Sequence, residues 1–149
     1  MGIPYDVFEG AFLNKVTEYT FLQLADQNRE ALLDGYMKRA ITKFAKVCKY
    51  ELGSHYDDEE RTIHVDIAEE DVDEIVDIVS EGMLEQWMKP YVYRQENLEN
   101  LLNSKDFTTY SPAELLLRIG NAYAKVQKDY TNMIREYSYN HADLTTLHL

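Results

Sequence analysis

Cysteine occurs once in the 149 residues, as Cys48. A lone thiol excludes an internal disulfide framework and fits a reducing compartment. No stretch approaches the roughly 18 apolar residues of a membrane span, so association with a membrane is not expected. Met1-Gly2-Ile3-Pro4-Tyr5-Asp6 lacks the basic and apolar regions of a signal peptide. Asp6 also stands where myristoylation at Gly2 would want Ser or Thr. These absences predict a protein that is soluble and intracellular when made.

Catalytic and metal-binding patterns are missing as well. His55, His64, His141 and His148 are scattered, lack the spacing of a zinc pair on a helix, and do not gather with Cys48. The acid-rich stretch from Asp57 to Asp77 has no central glycine for a calcium loop, so a solvated negative patch or a salt-bridge partner for basic residues is the better reading. No glycine loop cradles phosphate. Gly35, Gly82 and Gly120 fall inside helical patterns, where each costs up to about 1 kcal/mol against Ala. Either close approach of another backbone or plain tolerance explains them. Cys48 lies on an apolar helix face and reads as a small buried hydrophobe rather than a nucleophile. No enzyme activity, cofactor or metal is expected.

What the chain does have is acid, tyrosine and helical periodicity. Its 27 Asp and Glu against 15 Lys and Arg give a net charge of -12, which opposes wrapping nucleic acid over the whole surface but not over a local basic face. Twelve tyrosines suit half-buried seams and interfaces, because Tyr packs a large ring and keeps a polar tip. A chain of this length can bury roughly 70% of its unfolded surface and is expected to form one domain over residues 1–149, with 138–149 as a C-terminal tail.

The periodicity predicts a mainly α fold, a helical bundle with one long C-terminal helix. Ser111, Pro112 and Glu114 make a capping box with proline at the first helical position. From Leu115 and Leu116 through Ile119, Ala122, Tyr123, Val126, Tyr130, Met133, Ile134 and Tyr137 the apolar residues step by threes and fours. That is one stripe on a helix of roughly 25 residues, about twice the usual length. Tyr123, Val126, Tyr130, Met133 and Tyr137 therefore mark either the core or a seam between subunits. A first helix is expected from Tyr5 to about Tyr19, and a second from about Asn28 to Tyr50. A third should start near Glu69, with acids in its first turns favoured by the helix dipole, and end at Pro90. A short helix over about 96–102 and a turn at 103–106 complete the prediction.

Two further segments bear on partners. Thr62 to Ile67 alternates like a short strand, with Ile63, Val65 and Ile67 on one face. One strand is not stable alone, so it must pair with a local hairpin or with a neighbouring subunit. On the second helix, Lys38, Arg39, Lys43, Lys46 and Lys49 fall within an arc of about 140° with no acid among them. They form either a solvated face near a helix C-terminus or a surface facing DNA or an acidic partner.

Four runs carry a resemblance: Asp34-Gly35-Tyr36-Met37-Lys38-Arg39-Ala40, Asp73-Glu74-Ile75-Val76-Asp77-Ile78-Val79-Ser80-Glu81-Gly82-Met83, Gln86-Trp87-Met88-Lys89-Pro90, and residues 103–114 from Asn103 to Glu114. Together, and over most of the chain, they resemble the head–tail connector (neck or adaptor) proteins of tailed bacteriophages. The resemblance implies a helical subunit of a homo-oligomeric ring of about twelve copies in the virion neck. Such a ring docks beneath the portal protein, meets tail or other neck proteins, and passes double-stranded DNA without sequence specificity. It implies no catalytic residue. Two other readings fit the composition: an acidic protein that imitates DNA and occupies a DNA-processing enzyme, and a small DNA-packaging subunit binding duplex through Lys38 to Lys49.

Overall fold

The computed structural model describes residues 2–17, 29–93 and 112–141. The expected helix over 96–102, the turn at 103–106, the Ser111 cap and residues 142–149 lie outside them. Among the described residues are four α-helices: α1 (Tyr5–Val16), α2 (Arg29–Phe44), α3 (Glu69–Tyr93) and α4 (Pro112–Asn140). Three two-residue strands, β1 (Ile3–Pro4), β2 (Tyr56–Asp57) and β3 (Thr62–Ile63), form an antiparallel sheet in the order β1-β3-β2. The fold is mainly α with a long C-terminal helix, as the periodicity predicts.

Helix α3 is the spine, and α1, α2 and α4 all pack on it. Its stripe of Ile75, Val79, Met83 and Trp87 is buried. Phe12 of α1 meets Trp87 edge-on at 5.9 Å, and Phe44 of α2 meets Tyr137 of α4 at 4.9 Å. Gly82 explains itself here. A Cβ at this position would lie 2.7 Å from the Ala40 Cβ of α2 and 2.6 Å from the Tyr130 ring of α4. Gly35 and Gly120 face open space.

Several boundaries differ from the sequence expectation. Helix α1 ends at Val16, not Tyr19, with the Thr17 hydroxyl donating to the Asn14 carbonyl at 2.7 Å. Helix α2 gives way to turns after Phe44 rather than reaching Tyr50. The chain unwinds because Tyr50 is needed elsewhere. Its hydroxyl accepts the Ala68 N–H at 3.2 Å and donates to Asp71 at 2.6 Å. Tyr50 thereby satisfies the N–H of the residue that precedes α3 and tethers the Asp71 side chain of its first turn.

Pro90 does not end α3, which runs on to Tyr93. Proline forfeits one backbone hydrogen bond in a helix interior. Trp87 and Met88 are buried just before it, and Tyr91 and Val92 pack against the core just after it. Tertiary packing on both sides carries the helix through. Ser138 to Asn140, expected in the tail, continue α4. The Tyr137 ring stacks on His141 at 4.1 Å, and the His141 ring nitrogen lies 3.1 Å from a Glu74 carboxylate oxygen.

The alternating segment is a strand only at Thr62–Ile63. It is central in its sheet, paired to Ile3–Pro4 on one side and Tyr56–Asp57 on the other. Its partners are therefore in the same chain, and a neighbouring subunit is not needed to complete it. The Val65 N–H turns back onto the Ile63 carbonyl at 3.0 Å, which stops the strand short.

Candidate interaction surfaces

The five cations of α2 and the turns after it do not share one environment. Lys38 pairs with Asp58 at 2.8 Å and stands over the Tyr56 ring at 5.1 Å. Lys49 reaches Asp71 at 4.0 Å and the Tyr50 ring at 5.5 Å. The acidic β2–β3 turn and the start of α3 thus partner this flank, as salt bridging to the acid-rich stretch predicts. Arg39, Lys43 and Lys46 are exposed. Lys38 and Lys43 are five residues apart, about 140° around the helix, so Lys43 points to the opposite flank, where it lies 4.9 Å from the centre of the Tyr130 ring of α4.

On that flank α2, α3 and α4 frame an open cleft of about 490 Å³. Lys43, Lys128 and Arg135 give it three cations against one carboxylate, Glu85, with Gln127, Thr131 and Asn132 as neutral donors. Glu85 Oε1 accepts from Gln127 at 3.5 Å, while Oε2 is buried with no hydrogen-bond partner among the described residues.

A second open cleft flanks the other side of the same helix. It is lined by Asp77 and Glu81 of α3, Asp129 and Glu136 of α4, and Lys15 of α1. Lys15 bonds to both α3 carboxylates, Asp77 at 2.7 Å and Glu81 at 2.9 Å. Asp129 has Lys125 at 3.2 Å, one helical turn away, in an exposed pair worth little in water. Asn132 lines both clefts. The solvent face of α4 is thereby split lengthwise into a cationic and an anionic side.

The α4 seam itself is core. Tyr123, Val126, Tyr130 and Tyr137 are buried within the chain, and Met133 is half-buried against them. The Tyr130 hydroxyl donates to the Ala40 carbonyl at 2.6 Å, and the Tyr137 hydroxyl accepts the Lys49 N–H at 3.1 Å. Burial pushes both phenols well above their ordinary range. Leu116, expected in the stripe, is instead exposed with Leu117 in the first turns of α4, at 49% and 64%. Ile63 is buried, and Val65 and Ile67 are half-buried against this chain's own core. Cys48 is half-buried beside Tyr137, its sulfur 3.8 Å from the hydroxyl, and burial raises the thiol pKa.

Two polar clusters escaped the sequence reading. Asp57, Glu60 and His64 bring three ligand-type atoms within 4.8 Å of one another. Asp57 accepts the N–H groups of Glu59 and Glu60 at 3.1 Å and contacts His64 at 2.9 Å, which hold its carboxyl below the usual range. These bonds build the β2–β3 turn and account for the grouping. The other cluster surrounds Arg61, a non-glycine residue of positive φ (50°). Its carbonyl accepts the first N–H of α1, from Tyr5, at 2.8 Å. Its guanidinium bonds Asp6 and Asp34 at 2.7 Å and Glu9 at 2.9 Å, and lies 3.0 Å from Glu30. One cation thus ties α1, α2 and the turn together. Glu9 is buried, and that burial with its hydrogen bond to Asp34 raises its pKa to about 8, against the opposing pull of Arg61.

No helix among the described residues is long and apolar enough to cross a membrane. Compared with known protein families, curated proteins and solved structures, the chain gives no match.

Proposed function

We propose that this chain is a structural subunit of the head–tail connector of a tailed bacteriophage. Copies assemble into a ring beneath the portal, continue the DNA channel and present a platform to tail or neck proteins. The four sequence runs that resemble connector proteins, spread from Asp34 to Glu114, support the reading. The observation that carries it is the pair of oppositely charged clefts on the two sides of α4. A ring of identical subunits uses heterologous contacts, in which one patch meets a different, complementary patch on the next copy. One chain bearing both complements is suited to that arrangement. Neither cleft is a closed, mostly apolar chamber of the kind that holds a small substrate. Basic residues exposed at Arg39 and Lys46 remain available to the passing duplex as weak, sequence-independent phosphate contacts.

Light scattering on the purified chain over a concentration series, alone and with portal-bearing capsids, tests this. Growth to a closed species of about twelve copies, alone or on the portal, is the expected outcome. A monomer under every condition refutes the connector reading.

A further inference from the structure

The geometry points to a specific contact between copies: α4 helices lie side by side and parallel, with Lys128 and Arg135 of one copy against Asp129 and Glu136 of the next. The inference rests on the ring reading above and names the surface that would build it. Lys128 and Arg135 are seven residues apart, and so are Asp129 and Glu136. Each pair therefore spans two turns, roughly 10.5 Å along the axis, and the two stripes diverge by about 100° around the helix. Neighbours in a cyclic ring whose axis follows α4 are related by rotation without axial shift. In that arrangement each cation meets a carboxylate displaced by one residue, about 1.5 Å, well within the reach of Lys and Arg side chains. Pairing along parallel helices at a repeat of seven is the arrangement that flanking charges take in coiled coils.

The side chains are placed for it. Lys128, Arg135 and Glu136 are exposed, and among the described residues neither Lys128 nor Arg135 has a carboxylate at ion-pair distance. Lys43 adds to the cationic flank, and Asp77 and Glu81 add to the anionic one. A nucleic-acid backbone is a poorer occupant. Lying along α4 it would meet Glu85 on the floor of the cationic cleft and Asp129 and Glu136 on the neighbouring flank, where phosphate is repelled. Another acidic protein would need carboxylates at this pitch, and the chain already carries them.

Charge exchange tests the contact. Lys128→Glu with Arg135→Glu makes both flanks anionic, and Asp129→Lys with Glu136→Lys makes both cationic. Each variant alone should stay folded by circular dichroism and need at least roughly tenfold more protein to assemble, equivalent to about 1.4 kcal/mol per contact. Mixed one to one, the two should regain the wild-type mass, and the fourfold variant should assemble by itself. Wild-type assembly that neither reversal weakens overturns the contact and leaves the ring reading standing. Reversal that spares the mass but abolishes binding of a random-sequence duplex assigns the cleft to nucleic acid and also overturns it. A wild-type chain that never assembles removes the ring reading and this contact together.

Discussion

Around Gly82, α2, α3 and α4 come within the width of a methyl group. Gly82→Ala forces a Cβ against Ala40 and the Tyr130 ring and is expected to cost roughly 1–3 kcal/mol, as overpacking does. Gly35→Ala and Gly120→Ala fill open space on helices and should stabilise by up to about 1 kcal/mol. Denaturant melts of the three variants check the contrast, and equal effects would contradict it. The sequence marks all three glycines alike as helix interruptions. What separates them is the distance to another helix, which lies outside any local pattern. Glu9 gives a second prediction at this scale. Its carboxyl, held neutral to about pH 8 beside Asp34, Asp6, Glu30 and Arg61, ordinarily titrates near 4.5. The folded chain therefore binds more protons than the unfolded chain between those values. This contribution to stability is complete below about pH 4.5 and is lost as pH rises through 8. The melting temperature should fall by roughly 5 °C or more from pH 5.5 to 8.5, and Glu9→Gln should flatten that fall. An unchanged slope in the variant counts against the raised Glu9 pKa.

Helix ends show where local rules yield to packing. The stripe of α4 is legible because a repeat of three and four residues reports a buried face directly. Pro90 misleads because its cost, one hydrogen bond and a steric conflict, is smaller than the burial of Trp87 and Met88 and the packing of Tyr91 and Val92 on either side. Strands of two residues, such as Ile3–Pro4 and Tyr56–Asp57, are too short to show alternation. The acceptor for the Ala68 N–H at the start of α3 is Tyr50, 18 residues earlier, so no capping motif announces it. Tyr50→Phe removes that oxygen and should cost about 1–2 kcal/mol, with hydrogen exchange accelerating first at the start of α3. Exchange that rises evenly along the whole chain would contradict that role.

For the molecule as a whole, charge placement matters more than charge total. A net charge of -12 pushes copies apart at long range and is screened within about 10 Å at 0.1 M salt. The cationic cleft of Lys43, Lys128 and Arg135 is where a second acidic copy finds attraction. Helical angles place the cations of α2 on one arc, so from sequence they read as one face. Salt bridging of Lys38 and Lys49 to the acid-rich stretch follows from the sequence, but that α4 brings Lys128 and Arg135 beside Lys43 does not. The seven-residue spacing of cations beside acids on α4 was the available signal, masked by the stronger apolar stripe of the same helix. A reconstruction by electron microscopy of the chain bound to portal-bearing capsids is the most direct test. A cyclic layer under the portal, with α4 helices parallel and adjacent in neighbouring copies, is the predicted density. A bare portal beside a chain that stays monomeric would contradict the account.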